Sequence, residues 1–196
     1  EKKNNQVNLL FLIIRNSASL VAIENNFSLT RLLNSRSFVR NSPAADILPW
    51  GGVFYNCTSL EEITIPAAVV EIGDYAFYNC HKLTTVTLSN SVKSIGANCF
   101  NLCESLSSIH LNNVETIGEF AFFGCKKMTS VNLGSALKEI PKRAFSDCKA
   151  LTSITFPKTG LKAIGDYAFS NCKSIPSIIF PNSVKTIGLS AFSNNE

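Results

Sequence analysis

Charge, histidine and long apolar runs are all scarce in this chain of 196 residues. Only 16% of the residues are charged, and 18 basic against 14 acidic side chains leave a net +4. The excess is spread out: residues 1–46 carry +3, residues 47–100 carry −2 and residues 101–196 carry +3. No five like charges follow one another, so the dense basic stripe that a nucleic-acid backbone requires is missing. The longest unbroken apolar run, Leu9 to Ile14, is six residues. A bilayer-spanning helix needs roughly 20, so none is expected. Seven Pro and ten Gly are too few for a linker or a collagen-like chain. The two histidines, His81 and His110, fall at different positions of their local patterns, and neither completes a Ser-His-Asp set. Phosphate-loop, dinucleotide, zinc-protease and nucleophile-elbow signatures are absent. No enzyme and no cofactor are expected. At 45% hydrophobic, the chain is also too apolar for a disordered tail.

What the chain does have is a repeat. The phrase Ile-Gly-x-x-Ala-Phe-x-x-Cys recurs, with its Phe at 54, 77, 100, 122, 145, 169 and 192. The period is therefore 22–24 residues, which lies in the leucine-rich-repeat range and well below the helical-pair repeats. Within one unit, Ile72, Ala76, Phe77, Cys80 and Leu83 are spaced as on one face of a short helix. Val86 and Leu88 then alternate with Thr85, Thr87 and Ser89, as in a strand with one face buried. The reading is an α/β solenoid with a short helical turn and one parallel strand per repeat. Neither half can bury its apolar face alone, whereas stacked neighbours can. The Gly after Ile does not require a positive φ, because Pro141 stands there in one repeat and Pro is locked near −65°.

The repeat resembles the BspA-like leucine-rich repeat. The residues that carry the likeness are Leu60, Ile63, Ile65, Pro66, Val69, Ile72, Gly73, Ala76, Phe77 and Cys80. They recur as Ile175, Ile178, Phe180, Pro181, Val184, Ile187, Gly188, Ala191 and Phe192. The array covers residues 47–196 in about six repeats. It is irregular at Pro49-Trp50 and stops at Glu196 with Asn195 where Cys is expected and no strand after it, which reads as a chain truncated at its C-terminus. Residues 1–46 fit the pattern poorly and read as an irregular extension or a degenerate capping repeat; no clear signal peptide is visible there. The resemblance implies a surface antigen or adhesin, at the cell surface or secreted, that binds a protein or glycan of a host or extracellular matrix. The alternative is an intracellular, cytoplasmic scaffold built on the same repeats.

Six of the seven Cys share one repeat position, and Cys99 takes the Ala position of its unit. Core packing explains them better than disulfides or a metal, since zinc sites need four converging ligands. Asp74 and Asp166 occupy identical positions, where they are expected to cap the helical turns. The outward strand residues form the candidate interaction surface. One column reads Thr64, Thr87, His110, Asn132, Thr155 and Ile179; its neighbour reads Glu62, Thr85, Ser108, Ser130, Ser153 and Ser177. Both are rich in hydroxyls and nearly uncharged, a chemistry that suits proteins or glycans better than phosphates. On the other side, Tyr75, Phe120 and Tyr167 align in one column and Tyr78 and Phe123 in another. There they serve as binding anchors or as a cover over the ridge.

Overall fold

The computed structural model describes residues 52, 54–67 and 69–195. The extension expected over residues 1–46 and the Pro49-Trp50 irregularity lie outside the described residues. The strands are β1 (Glu62–Thr64), β2 (Glu71–Ile72), β3 (Thr85–Thr87), β4 (Ser94–Ile95), β5 (Ser108–His110) and β6 (Thr116–Ile117). They continue as β7 (Ser130–Asn132), β8 (Glu139–Ile140), β9 (Ser153–Thr155), β10 (Ala163–Ile164) and β11 (Thr186–Ile187). Every pairing is parallel and joins equivalent residues of successive repeats, such as Thr85 opposite Glu62 and Ile95 opposite Ile72. Two sheet faces result. The first carries the pair β1-β3 and the row β5-β7-β9; the second carries the rows β2-β4-β6 and β8-β10-β11.

The fold is thus a parallel-strand solenoid, and two features of the expected α/β unit need correction. Each repeat from Glu62 to Ile164 contributes two strands rather than one, because the backbone just before the Ile also pairs with its neighbour. The helical turn is absent: among the described residues no helix forms. In its place stands a run of four-residue turns. The N–H groups of Ala76, Tyr78, Cys80 and Leu83 donate to the carbonyls three residues back, at 3.0–3.4 Å. The alternate N–H groups of Tyr75, Phe77 and Asn79 donate instead to Ala97, Cys99 and Asn101 of the next coil, at 2.8–2.9 Å. A helix would need both sets for itself. It is also interrupted at Tyr75 and Asn79, which sit in the left-handed region at φ 55° and 62°. The apolar spacing that resembled a helical face is that of this turn run.

The interior is a set of columns. Phe54, Phe77, Phe100, Phe122, Phe145 and Phe169 are fully buried. Together with Phe192 they form one continuous stack, with ring centroids 5.0–5.3 Å apart and planes within 9°. Coils repeat every ~4.8 Å, wider than the contact distance of ~3.5–4.0 Å between carbons, so the rings must lie offset to touch. Ile72, Ile95, Ile117, Ile140 and Ile164 form a second buried column, and Leu60, Leu83, Leu106, Met128, Leu151 and Ile175 a third.

Close packing against the previous coil explains Gly96, Gly118, Gly165 and Gly188, whereas Gly73 has open space and Pro141 fits in the same column. Gly73, Gly96, Gly118, Gly165 and Gly188 do not have positive φ, in line with the reading from Pro141. A Cβ on Gly96 or Gly188, however, would meet the backbone of the previous coil at 2.4–2.5 Å. The variation in period has a single location. From the inward residue after the first strand to the next inward Val or Leu, the chain takes Leu111–Val114 in the shortest repeat and Phe156–Leu161 in the longest. Length changes are absorbed there because this loop carries no strand pairing.

Candidate interaction surface

The two expected outward columns exist as drawn over β1, β3, β5, β7 and β9. Glu62 lies opposite Thr85, and Ser108, Ser130 and Ser153 lie opposite one another. Likewise Thr64 faces Thr87, and His110, Asn132 and Thr155 align. Their side chains are exposed or half-buried, with Ile63, Val86, Ile109, Val131 and Ile154 turned inward between them. Asn132 accepts a 3.0 Å hydrogen bond from the Gly134 N–H, so it is partly engaged by its own loop. Ser177 and Ile179 are exposed but belong to no strand.

Pro176 gives the reason. Its equivalents Thr84, Ser107, Thr129 and Thr152 each send two donors to one carbonyl of the preceding coil. For Thr129 these are the N–H at 2.9 Å and Oγ1 at 3.3 Å, both to Ser107 O. Proline has neither donor, so the sheet loses its anchor at that coil. This third hydroxyl column was absent from the sequence-based surface. Its signal was present in Leu83-Thr84-Thr85, Leu106-Ser107-Ser108, Met128-Thr129-Ser130 and Leu151-Thr152-Ser153, where a hydroxyl precedes the outward one each time.

Asp74 and Asp166 act as acceptors, but not as helix caps. Each carboxylate receives a backbone N–H from the next coil: Ala97 N–H to Asp74 and Leu189 N–H to Asp166, both at 2.7 Å. The glycines at 96 and 188 leave the space, since a Cβ there would stand 2.5 Å from the carboxylate oxygen.

All seven cysteines are buried. Cys80, Cys103, Cys125, Cys148 and Cys172 donate Sγ–H to the Phe carbonyl of the preceding coil, at 3.1–3.4 Å. Asn195, in the Cys position of the last unit, does the same through Nδ2 to Phe169 O at 3.0 Å. Burial pushes the thiols of Cys99, Cys103 and Cys148 well above the ordinary range. At Cys172 the hydrogen bond with Cys148 does so first and burial second. The sulfurs serve the fold as packing and hydrogen-bonding groups. Among the described residues no three His, Cys, Asp or Glu side chains converge as a metal site would require.

The aromatics opposite the hydroxyl sheet are half-buried and cover one another. Tyr75 and Tyr78 meet at 5.7 Å, Phe120 and Phe123 at 5.8 Å, both tilted. The Arg143 guanidinium lies between Phe120 and Tyr167, 5.6 and 5.0 Å from their centroids. Tyr55 stacks on Tyr78 at 5.0 Å, and burial followed by the neighbouring tyrosines raises its phenol.

The periodic inward columns, the two strands per coil and the Cys–Phe hydrogen bond make one repeating unit. The model of the BspA type leucine rich repeat region, in six copies, matches residues 51–151 and 111–196. The chain belongs to the BspA-type leucine-rich repeat family. No curated protein sequence matches it. Among solved structures it is similar to a leucine-rich cell surface protein of Faecalibacterium prausnitzii, at 34% identity over 68% of this chain and 36% of that one, with a TM-score of 0.63. It is similar to a leucine-rich repeat protein of T. pallidum at 32% identity over 69% and 64%, with a TM-score of 0.65. A third is a leucine-rich repeat protein of Eubacterium ventriosum, at 29% identity over 70% and 44%, TM-score 0.56. The matches thus span about a third to two thirds of these relatives' lengths. The first is described as a leucine rich cell surface protein, the other two as leucine-rich repeat proteins. No helix of the described residues is long and apolar enough to cross a membrane.

One further column of this BspA-type array explains the residue before each Cys. Asn56, Asn79, Leu102, Gly124, Asp147, Asn171 and Asn194 all have φ between 58° and 70°. Asn, Asp and Gly are the residues that tolerate this conformation, and only Leu102 breaks the rule. Asn79 also donates to Asn56 Oδ1 at 2.6 Å, and Asn171 donates to Asp147.

Proposed function

We propose that this BspA-type repeat array is a non-catalytic binding module of a cell-surface or secreted protein. It engages a protein or glycan, of a host or extracellular matrix, through the hydroxyl-rich sheet. One observation carries the reading. The inward positions hardly vary from coil to coil, while the outward positions change among Glu, Thr, Ser, His and Asn along two registered blocks, β1-β3 and β5-β7-β9. Uniform columns inside hold the stack; varied columns outside are what a recognition face needs. Hydroxyls and amides give adaptable hydrogen bonding with little electrostatic selectivity. The T. pallidum and F. prausnitzii relatives share the fold, and the second is described as a cell surface protein, which supports the location.

The first test is antibody labelling of intact cells, with permeabilised cells as control. Labelling of intact cells is expected. Labelling only after permeabilisation would replace this reading with an intracellular scaffold. The second is an array of matrix proteins and glycans probed with the wild type and with a Ser108→Lys/Ser130→Lys/Ser153→Lys variant. Retained binding in a folded variant would remove the hydroxyl sheet from the interface.

A further inference from the structure

We infer that the C-terminal half of the second sheet face is a separate site for a linear polysaccharide bearing carboxylate or sulfate groups. The row that binds it is Lys138, Lys162 and Lys185. These residues stand directly before β8, β10 and β11, whose register places Glu139, Ala163 and Thr186 side by side. The backbone ties the lysines to one another: Lys162 N–H donates to Lys138 O and Lys185 N–H to Lys162 O, both at 2.8 Å. Successive ammonium groups are therefore rooted one coil apart, ~4.8 Å. All three side chains are exposed.

The same row in the N-terminal half shows what is unusual here. There it reads Val70, Lys93 and Glu115, and Lys93 Nζ meets Glu115 Oε1 at 3.2 Å. Side chains of adjacent coils in this row thus reach each other, and an acid beside a lysine closes the pair. In the C-terminal half three lysines follow without an acid between them. Among the described residues no carboxylate lies within ion-pairing distance of any of the three. Glu139 belongs to the adjoining column, which continues as Ala163 and Thr186. Like charges set opposite on neighbouring strands destabilise a sheet. A ligand that places an anion at each coil would relieve that repulsion.

The shape of the row selects the ligand. It is single file along the solenoid axis, flanked by Glu139, Ala163 and Thr186, so it suits an extended polymer rather than a folded acidic protein. Sugar units in an extended chain advance by a step close to one coil, so uronic acids or sulfated sugars would present their anions in register. Duplex DNA is denser in charge, with one charge per ~1.7 Å of axis, and too wide for a single file. Lysine supplies mobile point charges that accept carboxylate or sulfate without a fixed fork geometry. The site lies on the other sheet from the hydroxyl columns, so it does not depend on their being an interface.

The test is calorimetric titration of the whole chain at low and at physiological salt. The probes are a heparin-derived decasaccharide, a polygalacturonate decamer, neutral dextran and a short DNA duplex. The variants are Lys138→Gln/Lys162→Gln/Lys185→Gln and, as a charge-matched control, Lys82→Gln/Lys127→Gln/Lys173→Gln. The wild type is expected to bind the heparin or polygalacturonate probe, whichever carries the preferred anion. The row variant should weaken that binding tenfold or more and flatten its salt dependence, while the control changes it less than twofold. Thermal unfolding of the row variant should be unchanged or slightly raised, which separates loss of binding from loss of fold. Equal weakening in both variants, equal binding of dextran, tighter binding of the duplex, or no binding of either anionic saccharide would each overturn the inference.

Discussion

The coil around Phe122 and the coil around Phe192 carry the same phrase but are held differently. Phe122 is fully buried and stacked on both sides, against Phe100 and Phe145. Phe192 is half-buried; among the described residues it stacks on Phe169 and meets Phe180 edge-on. The stretch that leads into Phe122 has the three-residue strand β5 anchored by Ser107, whereas the one that leads into Phe192 has Pro176 in that place and no first-face strand. The inner coil donates from Cys125, the last from Asn195. A repeat is therefore not stable by its own sequence; its stability is set by what lies above and below it.

Alkaline pH should break the comparison most strongly, because the inner coils hold thiols and the last does not. Unfolded thiols release protons above ~8.5, while the buried ones keep theirs. The unfolded state then binds fewer protons, so stability falls as pH rises, by about 1.4 kcal/mol per thiol per pH unit. Urea titrations from pH 7 to 10 should show a plateau and then a steep loss, and Cys148→Ala should make that loss shallower. An unchanged slope would mean that the thiol column does not control it.

Next in size is Phe122→Ala, which should cost about 3–5 kcal/mol in urea unfolding. Phe192→Ala should cost under half as much; equal losses would mean that the stack does not share load as the geometry indicates. Pro176→Thr should restore both donors and extend the β9 edge, a gain of about 1 kcal/mol. Hydrogen exchange should then show protection at residue 176, and its absence would show that the proline is not what ends the sheet. The smallest effect is expected at Leu102, the one member of the left-handed column before the Cys position that is not Asn, Asp or Gly. Leu102→Asn should stabilise by about 0.5–1 kcal/mol by removing that strain. A loss instead would mean that Leu102 packing against Gly124 outweighs it.

Period, inward columns and the identity of the outward residues are legible in the chain alone. Phe122, Cys125 and Ile140 recur at fixed offsets, and periodic burial leaves that mark in any chain. The outward alternation of Thr85, Val86 and Thr87 was legible for the same reason. Stacking alone settles that Ile72 ends a strand and that Ala76 and Phe77 lie in a run of turns leading to Cys80. Helix and turn share that spacing, and the choice depends on whether alternate N–H groups donate within the coil or to the next. The second strand was hidden likewise, since two residues are too few to show alternation, and only the neighbouring backbone makes Ser94 and Ile95 a strand. The lysine row follows the same logic. Lys138, Lys162 and Lys185 lie 24 and 23 residues apart in the chain, and stacking brings them side by side.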